Sequence, residues 1–291
     1  MNLRARERTI SFPRRPLLMG IVNINDDSFC DDGTLDVDDA LRQAVRLASE
    51  GADIIDVGAE SARTNREAIS VEEEIARLRP FLRQISKALS TASPRDDEQV
   101  WPPLISVNTW RSDVVNVIML EGVDLLNDIS GLTEMTNAEL CLKHSVSLLI
   151  MHTVGLPKVP HFHEDYDDVW AALFEFFEDR VAKAKALGLA DDQLVLDPGI
   201  DFAKQCEDNL KIYGQLGLFV ERSKSPVLLP ISRKTVIGDV LGLPDPNTRD
   251  AGTVACMVAG VRRGAHIFRL HDVAAMYAAL KVVWAVEHVS A

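Results

Sequence analysis

The chain has 291 residues, 47% of them hydrophobic and 26% charged, with only 16 glycines and 13 prolines. A sequence of this length and composition can bury a sizeable core, which excludes collagen-like, low-complexity and disordered classes. The formal charge of -13 repels phosphodiester backbones and no basic patch offsets it, so no nucleic-acid partner is expected.

The chain opens with five arginines between Arg4 and Arg15, read as part of an ordered N-terminal segment rather than an organellar address. Residues 16–22 are apolar but too few for a signal-peptide core, and no run reaches the ~18 residues of a membrane span. Eight short β-branched or Leu-rich runs then follow, at residues 16–23, 53–58, 104–109, 124–128, 147–152, 193–197, 226–232 and 265–271. Between them, residues 37–50, 71–89, 166–187 and 250–264 carry apolar side chains at helical spacing. Gly51, Gly122, Gly188 and Gly264 each stop a helical stretch just before the next strand. The repeated punctuation predicts one α/β domain spanning residues 1–291, a (β/α)8 TIM barrel. A doubly wound sheet fits less well, because no GxGxxG follows the first strand. Residues 91–99, followed by Pro102 and Pro103, resemble a linker but are read as a helix-to-strand loop, since the alternation continues on both sides.

Barrel chemistry collects at the C-terminal ends of the strands. The polar residues there are Asn23, Asp56 with Glu60, Asn108, Asn127 with Asp128, His152, Asp197, Ser232 with Lys234, and Arg269 with His271. One such residue can be a loop cap, but a full ring of them points to a binding site. Asp197 can accept from an amino group and an adjacent ring N–H, Asn127 offers one donor and one acceptor, and Lys234 can donate to a ring carbonyl or nitrogen. Arg269 and His271, two residues apart on one strand, share a face and with Arg63 suit a phosphate or pyrophosphate. The run Ile231-Ser232-Arg233-Lys234-Thr235 leads into a helix whose N–H groups suit a carboxylate. Asn23 and Asp31 are candidates for a hard cation, while Asp26, Asp27 and Asp32 read as a solvated acidic loop.

Cys30, Cys141, Cys206 and Cys256 form no CxxC pair, which argues against a disulfide scaffold or thiolate zinc site and fits a reducing cytoplasm. His152, His161 and His163 follow no common zinc spacing. The aromatic stretch around Trp170, Phe174, Phe176 and Phe177 reads as core or dimer face.

In order along nearly the whole chain, several motifs resemble those of the dihydropteroate synthase family of the pterin-binding superfamily. They are Met19-Gly20-Ile21-Val22-Asn23 through Asp27-Ser28-Phe29, then residues 51–61 with Arg63, and Leu126-Asn127-Asp128-Ile129. Met151-His152, Asp197-Pro198-Gly199-Ile200 with Phe202 and Lys204, Ser232-Arg233-Lys234 and Arg269-Leu270-His271-Asp272-Val273 follow. The resemblance implies condensation of 6-hydroxymethyl-7,8-dihydropterin pyrophosphate with 4-aminobenzoate to dihydropteroate and pyrophosphate, assisted by Mg²⁺. Carried over by position, Asn127, Asp197 and Lys234 hold the pterin and Asn23 the metal. Arg63, Arg269 and His271 grip the pyrophosphate, and Thr235 with the helix start receives the aminobenzoate carboxylate near Phe202. Asp31 shields the cationic pterin methylene. The same resemblance implies a homodimer through the late helices, with residues 254–261 and 276–284 as its apolar faces.

The chain also departs from the family pattern. Asn108 stands where the family has an aspartate at the pterin, and Ala62 replaces a threonine that contacts substrate. Asn25-Asp26 replaces Thr-Pro, Thr64-Asn65 replaces Pro-Gly, and Asp201 and Ala203 replace glycines. These departures motivate an alternative, a divergent paralogue that binds pterin with little or no synthase activity. A methyltransfer domain of the wider superfamily is disfavoured by the Ser-Arg-Lys and Arg-x-His motifs.

Overall fold

The computed structural model describes residues 1–26, 33–61, 66–159 and 164–289. It begins with a feature that the periodicity does not announce, an antiparallel hairpin of β1 (Asn2–Ala5) and β2 (Arg8–Ser11). Eight parallel strands follow: β3 (Leu17–Asn23), β4 (Ile54–Gly58), β5 (Leu104–Asn108), β6 (Leu125–Asp128), β7 (Ser147–Met151), β8 (Leu194–Asp197), β9 (Leu228–Pro230) and β10 (Ile267–Leu270). Each lies within the run expected for it. Their order is β8-β7-β6-β5-β4-β3-β10-β9, and a bridge from Leu196 to Val227 joins the two ends. The sheet is therefore the expected (β/α)8 barrel.

Among the described residues, the helices are α1 (Val37–Glu50), α2 (Val71–Leu89), α3 (Ser112–Ile118), α4 (Thr136–His144), α5 (Val169–Leu187), α6 (Cys206–Arg222), α7 (Thr235–Leu241), α8 (Asp250–Arg262) and α9 (Val273–Glu287). Helix α1 shows how sequence sets these bounds. Asp36 caps its start by accepting from the N–H of Asp39 at 2.9 Å. Ala40, Leu41, Ala44, Leu47 and Ala48 form the buried stripe. Gly51 ends it at φ 114°, where a Cβ would meet the Tyr277 ring at 2.3 Å. The other three glycine stops also have positive φ. Helix α5 starts later than the apolar spacing suggests, because Asp168 caps it by accepting from Trp170 and Ala171.

Two layers of core result. One lies between sheet and helices and includes Trp170 and Phe177, so the aromatic stretch of α5 is largely core. The other fills the barrel itself, where Met19, Ile54, Leu104, Leu125, Leu149, Val195, Leu228 and Ile267 converge. The hairpin stops its lower end by burying Leu3, Ala5 and Ile10 against that filling. Emptying any one of these large buried side chains to alanine costs about 2–5 kcal/mol. The polar stretch 91–99 is docked as a helix-to-strand loop, with Gln99 Nε2 donating to the carbonyls of Ala48 and Ala52, both at 2.8 Å. Among the described residues, no helix is long and apolar enough to cross a membrane.

Candidate active site

The upper end of the barrel opens into a cavity of about 330 Å³ lined by Asn23, Asn108, Asn127, Asp197, Lys234, Arg269 and other residues. The filled lower layers place these side chains at one level, so residues far apart in sequence meet in the mouth. Asp31, Ala62 and Arg63 lie outside the described residues, as do the other positions at 27–32, 62–65 and 160–163.

Asp56 is the hub of the floor. It is fully buried and accepts from Ser106 Oγ at 2.5 Å, Asn127 Nδ2 at 3.1 Å and Arg269 Nε at 2.7 Å. Pinning Nδ2 of Asn127 leaves its carbonyl oxygen as the acceptor available to a ligand. The ion pair with Asp56 uses only Nε of Arg269, and its terminal nitrogens donate to no other described residue. Arg269 is thus both salt-bridged and able to face an anion. Asp56 stands among the polar strand ends in sequence, but its positioning role depends on a partner 213 residues away.

Asp197 sits beside this hub at the end of β8. Its Oδ1 accepts from the N–H of Gly199 at 2.7 Å, and burial raises its carboxyl to about 6. Gly199 has φ 68°, and a Cβ there would lie 2.0 Å from the His152 carbonyl oxygen. The loop beyond is tied down by Lys204, whose buried Nζ reaches His152 Nδ1 at 2.8 Å and the carbonyls of Gly199 and Phe202 at 3.0 Å. Burial lowers the Lys204 ammonium to about 7 and His152 to about 3, so His152 is neutral and pairs with Lys204 through Nδ1. His152 therefore supports the loop after β8 through Lys204 and does not itself line the cavity. Lys204 carries a positioning role that the sequence motif alone does not reveal.

Lys234 donates to the Ile200 carbonyl at 2.9 Å and lies 5.2 Å from the centre of the Phe202 ring, and burial lowers its ammonium. Across the mouth, the backbone N–H of His271 donates to Ser232 Oγ at 3.2 Å, and Nδ1 of its ring lies 2.8 Å from that oxygen. Asn23, Arg269 and His271 line one cavity with Ser232. Asn108 also lines it, with Oδ1 buried and unpaired among the described residues. Glu60 lines the cavity as well but is tied into the frame, and Asp128 is structural. Glu60 accepts from the N–H of Ile69 and pairs with Arg111 at 2.6 Å, while Asp128 accepts from Ser130 and Asn137.

The start of α7 departs from expectation. The N–H groups of Thr235 and Val236, which the sequence suggests for a substrate carboxylate, already hold the carboxylate of Asp201. Among the described residues, no group of three or more His, Cys, Asp or Glu could hold a metal ion. Asn23 offers one neutral oxygen, which suits a hard cation that arrives with phosphate oxygens and water, not one caged by protein.

Fold and site together are those of a barrel enzyme that takes a flat, nitrogen-rich ring on one side of its mouth and an anion on the other. The family model for pterin binding enzymes matches residues 19–271. A dihydropteroate synthase of Neisseria meningitidis serogroup C is 35% identical over 271 residues, covering 92% of this chain and 91% of the relative. The crystal structure of the Yersinia pestis dihydropteroate synthase with a sulfonamide drug superposes with a TM-score of 0.86 at 34% identity, over 99% of each chain. The Coxiella burnetii dihydropteroate synthase in complex with pteroic acid gives 0.85 at 30% identity, again over 99% of each chain. The chain belongs to the dihydropteroate synthase family of pterin-binding enzymes.

Proposed function

We propose that the chain is a transferase of folate biosynthesis that condenses 6-hydroxymethyl-7,8-dihydropterin pyrophosphate with 4-aminobenzoate, giving dihydropteroate and pyrophosphate. The observation that carries this reading is the convergence, in one cavity, of Asp197, Asn127 and Lys234 with Arg269 and His271. The relatives that bind pteroic acid and a sulfonamide drug support the same ligand classes here.

In this reading Asp197 accepts from the amino group and ring N–H of the pterin, Asn127 presents its carbonyl oxygen, and Lys234 donates to the ring. Asn108 borders the ring as a neutral amide where a carboxylate would offset positive charge. Arg269, His271 and Arg63 receive the pyrophosphate as the carbon–oxygen bond breaks and its electron pair leaves with the oxygen. The amine nitrogen of 4-aminobenzoate then forms the new carbon–nitrogen bond and loses a proton to solvent. By their positions in the family's motifs Asp31 shields the cationic methylene and Ala62 stands in place of a substrate-contacting threonine, while Phe202 and Thr235 flank the arylamine. Asn23 would hold a Mg²⁺ ion, which would supply neutralisation of negative charge on the leaving pyrophosphate.

One domain spanning residues 1–291 carries the whole reaction in the cytoplasm. A homodimer would cover half-exposed apolar positions of α8 and α9, such as Val254, Val258 and Val283. The test measures pyrophosphate release and dihydropteroate formation, each with and without 4-aminobenzoate and Mg²⁺. Turnover that depends on the arylamine supports the synthase. Pterin binding without turnover favours the divergent paralogue, a reading that the Asp201 contact at α7 keeps in view.

A further inference from the structure

Asp201 places a fixed negative charge where the second substrate would bring its own. Its Oδ2 accepts from the N–H of Thr235 at 2.5 Å and its Oδ1 from that of Val236 at 3.2 Å. The residue is anchored from behind as well. Its N–H donates to Oδ1 of the buried Asn209 at 2.9 Å, and Asn209 Nδ2 lies 3.4 Å from Asp201 Oδ1. Asp201 adopts φ 68° and Ala203 φ 51°, a left-handed backbone that side chains other than glycine adopt at a cost. The surrounding ties hold this conformation, and they aim the carboxylate at the cavity wall shared with Phe202, Lys234 and Thr235.

We infer that Asp201 is the specificity-determining residue for the arylamine, a built-in competitor of its carboxylate that ranks second substrates by the charge of their tail. The inference rests on the arylamine reading of this part of the cavity. An incoming carboxylate must either displace Asp201 from two backbone donors or lie beside a like charge. Lys234, a cation on the same cavity wall, is engaged by the Ile200 carbonyl and divides its field between Asp201 and Asp197. An uncharged tail meets neither penalty. Because the tail is remote from the reacting nitrogen, the penalty falls on arylamine affinity and not on bond formation.

The test is calorimetric titration of 4-aminobenzoate and of 4-aminobenzamide, with 6-hydroxymethyl-7,8-dihydropterin, pyrophosphate and Mg²⁺ held at saturation. The unaltered protein is compared with Asp201→Asn, which keeps an acceptor for α7, and with Asp201→Gly, which suits the left-handed backbone. In both variants 4-aminobenzoate is expected to bind roughly tenfold tighter or more, while 4-aminobenzamide changes by less than about twofold. In turnover, the gain is expected in KM for 4-aminobenzoate, with little movement of kcat. Equal changes for the two arylamines, or no change for either, overturn the inference. Absence of turnover with the affinities still separated by Asp201 removes the synthase reading and leaves the specificity residue standing. Failure of every variant to bind either arylamine removes both.

Discussion

Replacing Asp197 by asparagine is expected to move binding and stability in opposite directions. The carboxyl is nearly fully buried, and burial raises it from its ordinary 3.8 to about 6. A folded-state value above the unfolded one means that its stabilising contribution is present below about pH 4 and is lost as pH rises through about 6. At pH 8 the buried charge therefore costs the apo protein about 3 kcal/mol. The substituted amide would carry no charge and could still accept from the N–H of Gly199, so Asp197→Asn should be more stable at pH 8 by about 2 kcal/mol after imperfect amide burial is allowed for. That gain should shrink toward pH 5, where the native carboxyl is itself protonated. Ligand affinity moves the other way. The pterin edge presents two donors, and the amide loses both the charge and one acceptor, about 3 kcal/mol or a 10²-fold weakening. The same loss should build up in the unaltered protein as pH falls below about 6 and should be absent from the pH profile of the variant. Urea denaturation at pH 8 and pH 5, paired with calorimetry of 6-hydroxymethyl-7,8-dihydropterin, measures both effects. A variant less stable at pH 8, or one whose pterin affinity stays within about threefold, would refute the reasoning.

Two further changes probe the frame around the ring. Asn108→Asp places a carboxylate where an amide oxygen is buried without a partner, and kcat should rise by about 10-fold to 10²-fold; an unchanged kcat would show that the ring needs no negative charge there. Lys204→Met strands two loop carbonyls and His152 Nδ1, so urea denaturation should show a loss of about 2–4 kcal/mol, and a loss under about 1 kcal/mol would show that water replaces the ammonium.

The strands were legible because parallel strands in a barrel are buried on both faces and appear as continuous apolar runs. Their polar ends were legible for the complementary reason, that a hydrogen-bonding residue after such a run must sit at the mouth. The hairpin was not, since each of its strands has only four residues and arginines separate Leu3, Ala5 and Ile10. The role of Asp56 was hidden by distance, because a carboxylate and an arginine 213 residues apart give no local pattern. Asp201 was visible as a residue, but its fold onto α7 depends on a left-handed backbone that no side-chain periodicity encodes. Lys204 was recognisable only as part of a motif; its work is done against carbonyl groups, which the sequence does not display.

The closing seam of the barrel gives these loop contacts a mechanical meaning. Elsewhere neighbouring strands share three or more paired positions, whereas β8 meets the β9 side through the single bridge at Leu196 and Val227. Directly above that sparse joint, Asp201 reaches from the loop after β8 to the start of α7, and Lys234 reaches back to the Ile200 carbonyl. Two side chains thus rivet a gap that the backbone leaves nearly unlaced. The hoop is closed partly by the same groups that border the second substrate, so a ligand prying at Asp201 also works against the fastening of the barrel.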